Sequence, residues 1–261
     1  MTMLQLQPTR REWPEWERLA AGMNAGYEVL EVSAPPVLGD EGAIRETVSR
    51  YLGSGRARSL HGAFIDNNPG SGDPDIRRAS DAACRKSCAI AEQLNVPNVV
   101  FHSGAFPFLR GDYIAYWSDV CAAYYAELSA ATGRRIFIEN SMDVDPGPIR
   151  LLMDKIRALG AGTDRVAVCL DIGHAHYSRT PLGEWFGALS EDIGYIHLSD
   201  NMGLYDDQLV IGAGTVDWEE ADRLVGMLPQ EPVITLEVGT TEKARESVAF
   251  MRSRGLVHLG V

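Results

Sequence analysis

Two rhythms of apolar and polar positions alternate along the chain. Short apolar runs read as strands: MLQLQ (3–7), YEVLEV (27–32), ARSLHGAF (57–64), NVVFHS (98–103), RRIFIEN (134–140), RVAVCLD (165–171), IGYIHLSD (193–200) and PVITLEV (232–238). Between them lie segments whose apolar residues recur with helical period. The clearest are 76–94, 113–132, 147–160, 218–228 and 241–255, with a shorter helix-compatible stretch at 181–190 and Gly255 as a C-cap. Strands that alternate with helices build a parallel sheet. Eight such units in 261 residues predict a closed (β/α)8 barrel, one α/β domain spanning 1–261. A doubly wound open sheet is the alternative, but no Gly-x-Gly-x-x-Gly follows the first strand. No Pro-, Gly- or Ser-rich linker and no low-complexity segment divides the chain.

The stretch CLDIGHAHYS (169–178) breaks the apolar rhythm. A buried strand ends abruptly on Asp171, and His174 follows three residues later. One Asp after a strand is ordinary turn chemistry, but other strands end in the same way. Strand two ends near Glu31, strand three carries His61 and strand four carries His102. Strand five ends in Glu139 and Asn140, strand seven carries His197 and then Asp200, and strand eight carries Glu237. In a barrel these ends share one face, where chemistry collects. Four of the six histidines belong to this set.

Buried carboxylates cost several kcal/mol unless paired or bound to a cation. Glu139, Asp171 and Glu237 converging in one mouth would repel, and a divalent cation is the simplest compensation. Three carboxylates and one imidazole form a hard, mixed oxygen and nitrogen set. It suits one Mn²⁺, Mg²⁺, Co²⁺ or Zn²⁺. A salt-linked polar mouth without metal is the other reading.

Composition narrows the class. Apolar residues make up 45% and charged residues 23%, as in ordinary globular chains. No apolar run approaches the roughly 20 residues that cross a bilayer. The first residues, MTMLQLQPTRREWPEW, lack a secretion signal, so a cytoplasmic location without a membrane partner is expected. The net charge of −12 disfavours nucleic acid as a partner, because phosphate binding draws on Lys and Arg. Four cysteines, Cys84, Cys88, Cys121 and Cys169, do not form a disulfide framework in a chain this long. Cys84 and Cys88 would share one helix face as packed apolar residues.

The runs SLHGAFIDNNPGSGD, IENS, LDIGHA, IHLSDN and TLEVG, in this order, resemble the xylose isomerase-like TIM-barrel superfamily. That superfamily includes sugar-phosphate isomerases and epimerases, ketose 3-epimerases and endonuclease IV-type apurinic-site nucleases. The resemblance covers nearly the whole chain and implies a TIM barrel. Its epimerase branch implies one divalent metal on Glu139, Asp171, His197 and Glu237, with the two Glu as acid/base pair and His174 at the substrate. Its nuclease branch implies a first zinc site on His61, His102 and Glu139. A third nuclease site would use Asp206, but the following His position is Gln208, and Ala213 replaces a Glu. This departure, with the negative charge, favours the isomerase or epimerase branch. Homodimers and tetramers are common in the family, so a homo-oligomer is compatible with the resemblance.

The chemistry follows from the residue types. A metal on a carbonyl oxygen and a neighbouring hydroxyl stabilises the enediolate left when the adjacent proton departs. Two carboxylates on opposite sides of a sugar or sugar phosphate remove and return that proton. Glu139 and Glu237 are assigned these roles. His61, His102 and His174 are candidates for holding hydroxyls or orienting the ligands. Asp200 is a candidate for fixing an imidazole tautomer or for capping its loop. Glu31 could bind a hydroxyl or stand as a solvated carboxylate, and Arg179 could hold a phosphate or lie on the surface. Asp217 reads as a helix N-cap. A metal-dependent phosphodiester hydrolase and a non-catalytic sugar-binding barrel are the competing classes.

Overall fold

The computed structural model describes residues 3–107 and 110–261. Eight parallel strands close in chain order into a barrel, β8 pairing with β1. They are β1 (Leu4–Leu6), β2 (Gly26–Val29), β3 (Ala57–His61), β4 (Asn98–His102), β5 (Arg135–Glu139), β6 (Val166–Asp171), β7 (Ile193–Leu198) and β8 (Val233–Leu236). Each connection runs through at least one helix. The helices are α1 (Trp13–Met23), α2 (Pro35–Leu38), α3 (Glu41–Ser54), α4 (Pro74–Gln93), α5 (Asp112–Thr132), α6 (Gly147–Ala158), α7 (Ile172–Tyr177), α8 (Leu182–Leu189), α9 (Trp218–Gly226) and α10 (Thr241–Arg254).

The helices singled out from periodicity lie where expected, within two residues of the predicted ends. Gly255 closes α10 at φ 69°, and Asp217 Oδ1 caps α9 through the Glu220 N–H at 2.9 Å. The short helices α2 and α7 offer too few residues for a readable stripe. No helix among the described residues is long and apolar enough to cross a membrane.

Residues two apart on a strand share a face, so each strand serves two compartments. Outward residues such as Leu60, Val99, Phe101, Ile136, Ile138, Val168, Leu170 and Ile196 pack under the helices in one large core. Cys84, Cys88 and Cys121 are buried in it as free thiols. Inward residues Val100, Phe137, Ala167, Cys169 and Tyr195 form a second, smaller apolar cluster inside the barrel. Above that cluster, the next inward layer is polar.

Gly173 lets α7 start directly against β7. A Cβ there would meet Ser199 Oγ, the Ser199 carbonyl at 3.0 Å and Asp171 Oδ1 at 3.2 Å. Because a backbone carbonyl cannot rotate aside, Gly173→Ala is expected to destabilise the fold by about 1–3 kcal/mol. Chemical denaturation would register this as a lower midpoint; an unchanged midpoint would show that the contact yields freely.

Candidate metal centre

Strand register assembles the site. His102 on β4 lies level with Glu139, and Asp171 on β6 lies level with His197. Glu237 follows β8 directly, and its N–H donates to the Leu198 carbonyl at 2.9 Å. Ligand atoms of Glu139, Asp171, His197 and Glu237 all fall within 4.8 Å of one another, and all four residues are buried. His197 Nδ1 lies 3.3 Å from Glu139 Oε1, 3.3 Å from Glu237 Oε2 and 3.9 Å from Asp171 Oδ2. A second group shares Glu139: His61 Nε2 and His102 Nε2 stand 3.3 and 3.5 Å from its Oε2.

The surroundings hold these side chains in place. Asp171 also caps α7, its Oδ1 accepting the His174 N–H at 2.7 Å. Asn140 clamps the end of β6, accepting the Asp171 N–H at 2.8 Å and donating to its carbonyl at 3.0 Å. His174 Nδ1 sits 2.7 Å from the Asn140 carbonyl and 3.4 Å from Glu139 Oε1, and its Nε2 sits 3.5 Å from Asp206 Oδ2. From the loop above, Gln208 Nε2 donates to Glu237 Oε1 at 3.3 Å. Lys243 in turn holds the Gln208 carbonyl at 2.7 Å.

The electrostatics show uneven compensation. Burial would raise Glu139, but the imidazoles that face it, His102 and His197 foremost, hold it well below the usual carboxylate range. Burial outweighs the imidazoles at Asp171, which is pushed up to about 6, and at Glu237, pushed up to about 7. Glu139 adds repulsion to both. Burial lowers His102 to about 3, whereas carboxylates overcome burial and raise His61 and His174, and Cys169 together with Glu28 and Glu139 does so for His197. Burial keeps the Cys169 thiol, close to Glu139 and His197, well above its ordinary range.

These residues fit a divalent cation. Glu139 Oε2 and His197 Nδ1 are buried without a hydrogen bond of good geometry, and both face the clusters. Buried polar atoms are almost always satisfied, and one divalent cation among these four residues would satisfy the His197 nitrogen and offset most of the carboxylate charge.

A profile of the xylose isomerase-like TIM barrel family matches residues 19–254. The chain belongs to this family. Among its relatives is MJ1311, an uncharacterised protein of Methanocaldococcus jannaschii. The two are 26% identical over 202 residues, covering 74% of this chain and 68% of that protein. A D-tagatose 3-epimerase-like protein superposes with a TM-score of 0.77 at 18% identity, over 98% of both chains. The Thermus thermophilus protein TTHB071, solved after soaking in zinc chloride, gives 0.74 at 22% identity over 97% of both. Sugar epimerases are among the other solved structures of this shape.

Within this xylose isomerase-like barrel, some expected residues lie away from the cluster. Glu31 lies beyond the end of β2 and turns outward, where Arg50 pairs with it at 2.8 Å and Tyr51 donates to it at 3.2 Å. The carboxylate that β2 sends inward is Glu28, fully buried beneath His197. Asp200 fixes no imidazole. It accepts from the Gly212 N–H (2.8 Å), the Val216 N–H (3.2 Å) and Trp218 Nε1 (2.9 Å), and so folds the loop after β7. Asp206 meets the site at His174, and its charge also bears on Asp171. Arg179 lines a separate cavity of about 450 Å3 with Ile172, His176 and Thr215.

A cation competes with the protons that Asp171 and Glu237 take up as pH falls through about 6 and about 7, and with the proton that the raised His197 imidazole holds. Metal binding therefore tightens as pH rises through about 6 and about 7 and weakens below. Chelator competition is expected to show affinity at least about 10-fold lower at pH 5.5 than at pH 8. A flat profile would mean that both carboxyls are already ionised in the metal-free protein.

Proposed function

We propose that this chain is a divalent-metal-dependent isomerase or epimerase of a sugar or sugar phosphate. The observation that carries this reading is the buried Glu139, Asp171, His197 and Glu237 set, with an unsatisfied nitrogen directed into it. The likeness to sugar epimerases supports it. Those four residues would hold one ion, Mn²⁺, Mg²⁺, Co²⁺ or Zn²⁺ by the donor types. When bound, the ion supplies stabilisation of negative charge growing on a substrate oxygen.

The protein's own groups then handle the proton. Glu237 stands at the rim, 9% exposed, with Oε1 turned towards the loop amide of Gln208. A carboxylate there can take a proton from the carbon beside a carbonyl, leaving an enediolate. Glu139 lies deeper, with Oε2 turned to His61 and His102, and is the opposing carboxylate; ionised at rest, it acts as the acid only after His61 passes it a proton. Return of the proton to the same carbon from the opposite side inverts it; return to the neighbouring carbon exchanges aldose for ketose. A cavity of about 470 Å3 beside His102, lined also by Phe64, Asn68, Phe106 and Met142, gives a small molecule room.

Ketoses and their phosphates incubated in deuterated water provide the test. Glu139→Gln and Glu237→Gln are each expected to lower exchange at the reacting carbon by about 10²–10⁴-fold. Exchange at the native rate in both variants would sink the acid/base assignment.

A metal-dependent phosphodiester hydrolase is the second reading, and the His61, His102 and Glu139 group favours it, as a place for a further ion. Elemental analysis separates the two. About one divalent ion per chain, lost in Asp171→Ala, is the expected result. Two or more zinc ions with cleavage of abasic DNA would transfer the assignment to the hydrolase.

A further inference from the structure

We propose that Glu28 is the positioning residue that makes His197 a metal ligand through Nδ1; this rests on the metal-site reading above. An imidazole binds a metal only through a nitrogen that carries a lone pair, and the bond made by the other nitrogen decides which one that is. His197 Nε2 lies 3.1 Å from Glu28 Oε2, in hydrogen-bond geometry, and both residues are fully buried. Both oxygens of Glu28 accept from its other neighbours, Gln7, Tyr195 and Thr235, so it is the acceptor here too and the proton of this bond belongs to Nε2. Nδ1 is then the nitrogen presented to Glu139, Asp171 and Glu237, and it has no hydrogen-bond partner of its own.

Glu28 is itself fixed from several strands. Gln7 Nε2 on the β1 side donates to Oε1 at 2.9 Å. Tyr195 OH on β7 and Thr235 Oγ1 on β8 donate to Oε2, the latter at 3.1 Å. Ser59 Oγ on β3 lies 2.8 Å from the Tyr195 hydroxyl and donates to Gln5 Oε1 at 2.5 Å. Such a network is unusual for the inside of a barrel, which branched apolar side chains ordinarily fill. Val100, Phe137 and Ala167 fill the opposite wall in that way. The polar half of the floor converges on the one carboxylate under His197. A carboxylate on the far nitrogen orients a ligating imidazole and raises its basicity towards the metal.

Zinc affinity of the native protein and of Glu28→Gln, by chelator competition, tests this. The substitution keeps the shape and removes the charge, and an affinity about 10–100-fold weaker is expected in folded protein. Equal affinity in the two would overturn the role of Glu28 while leaving the metal site intact. Native protein that binds no zinc would overturn both. The tautomer can also be read without any variant, from long-range proton–nitrogen NMR of 15N-histidine-labelled, zinc-loaded native protein. A proton on His197 Nε2 with a metal-shifted Nδ1 is expected, and this decides the matter should Glu28→Gln not fold. A proton on Nδ1 would overturn the proposal.

Discussion

Everything at the barrel mouth answers one constraint: three carboxylates, Glu139, Asp171 and Glu237, share a buried volume a few ångströms across. Two unit charges about 4 Å apart repel by about 4 kcal/mol at an effective dielectric constant of about 20. Three such pairs would rival the whole stability of a domain, about 5–15 kcal/mol. Without a cation, the protein relieves part of this by pushing Asp171 up to about 6 and Glu237 up to about 7, and by surrounding Glu139 with imidazoles. Each relief is incomplete, because Glu139 Oε2 and His197 Nδ1 remain unsatisfied. A fold that spends this much stability in one place is organised for a charge brought from outside.

The barrel and the convergence of Glu139, Asp171, His197 and Glu237 were legible in the sequence for the same reason. A parallel sheet repeats one local pattern eight times, so its strand ends fall on one face, and a polar residue after an apolar run marks that face directly. Asp171 is the plainest case. It ends β6, caps α7 and faces the site, and each role wants a short carboxylate at a strand-to-helix junction.

Register was harder to read. YEVLEV carries Glu28 and Glu31 three residues apart, so the two must face opposite ways on a strand. The apolar run continues past Val29, which makes Glu31 look like the strand end, yet pairing stops at Val29. An irregularity in the β2–β3 pairing between Tyr27 and Glu28 helps to hide the phase. The inward glutamate is thus the one in mid-strand, where an apolar residue would be the default. Asp200 misleads in the opposite way. Its place after β7 suits a site residue, but its partners Gly212, Val216 and Trp218 come from a loop whose path no local pattern reveals.

Glu139 ties the number of ions to the kind of reaction. It belongs both to the four-ligand set and to the group with His61 and His102. Its Oε1 faces His197 and its Oε2 faces the two other imidazoles. A carboxylate with both oxygens on cations is too weak a base to carry a proton in turnover. Glu237 would then be the one remaining proton carrier in the set. Chemistry that inverts a centre with two opposed carboxylates therefore requires Glu139 Oε2 to be free, and with it the His61–His102 position. Hydrolysis has no such need, since an attacking water and a leaving oxygen are both served by ions held on either side. The same residues thus support either reaction, and occupancy at His61 and His102 is the physical variable that separates them.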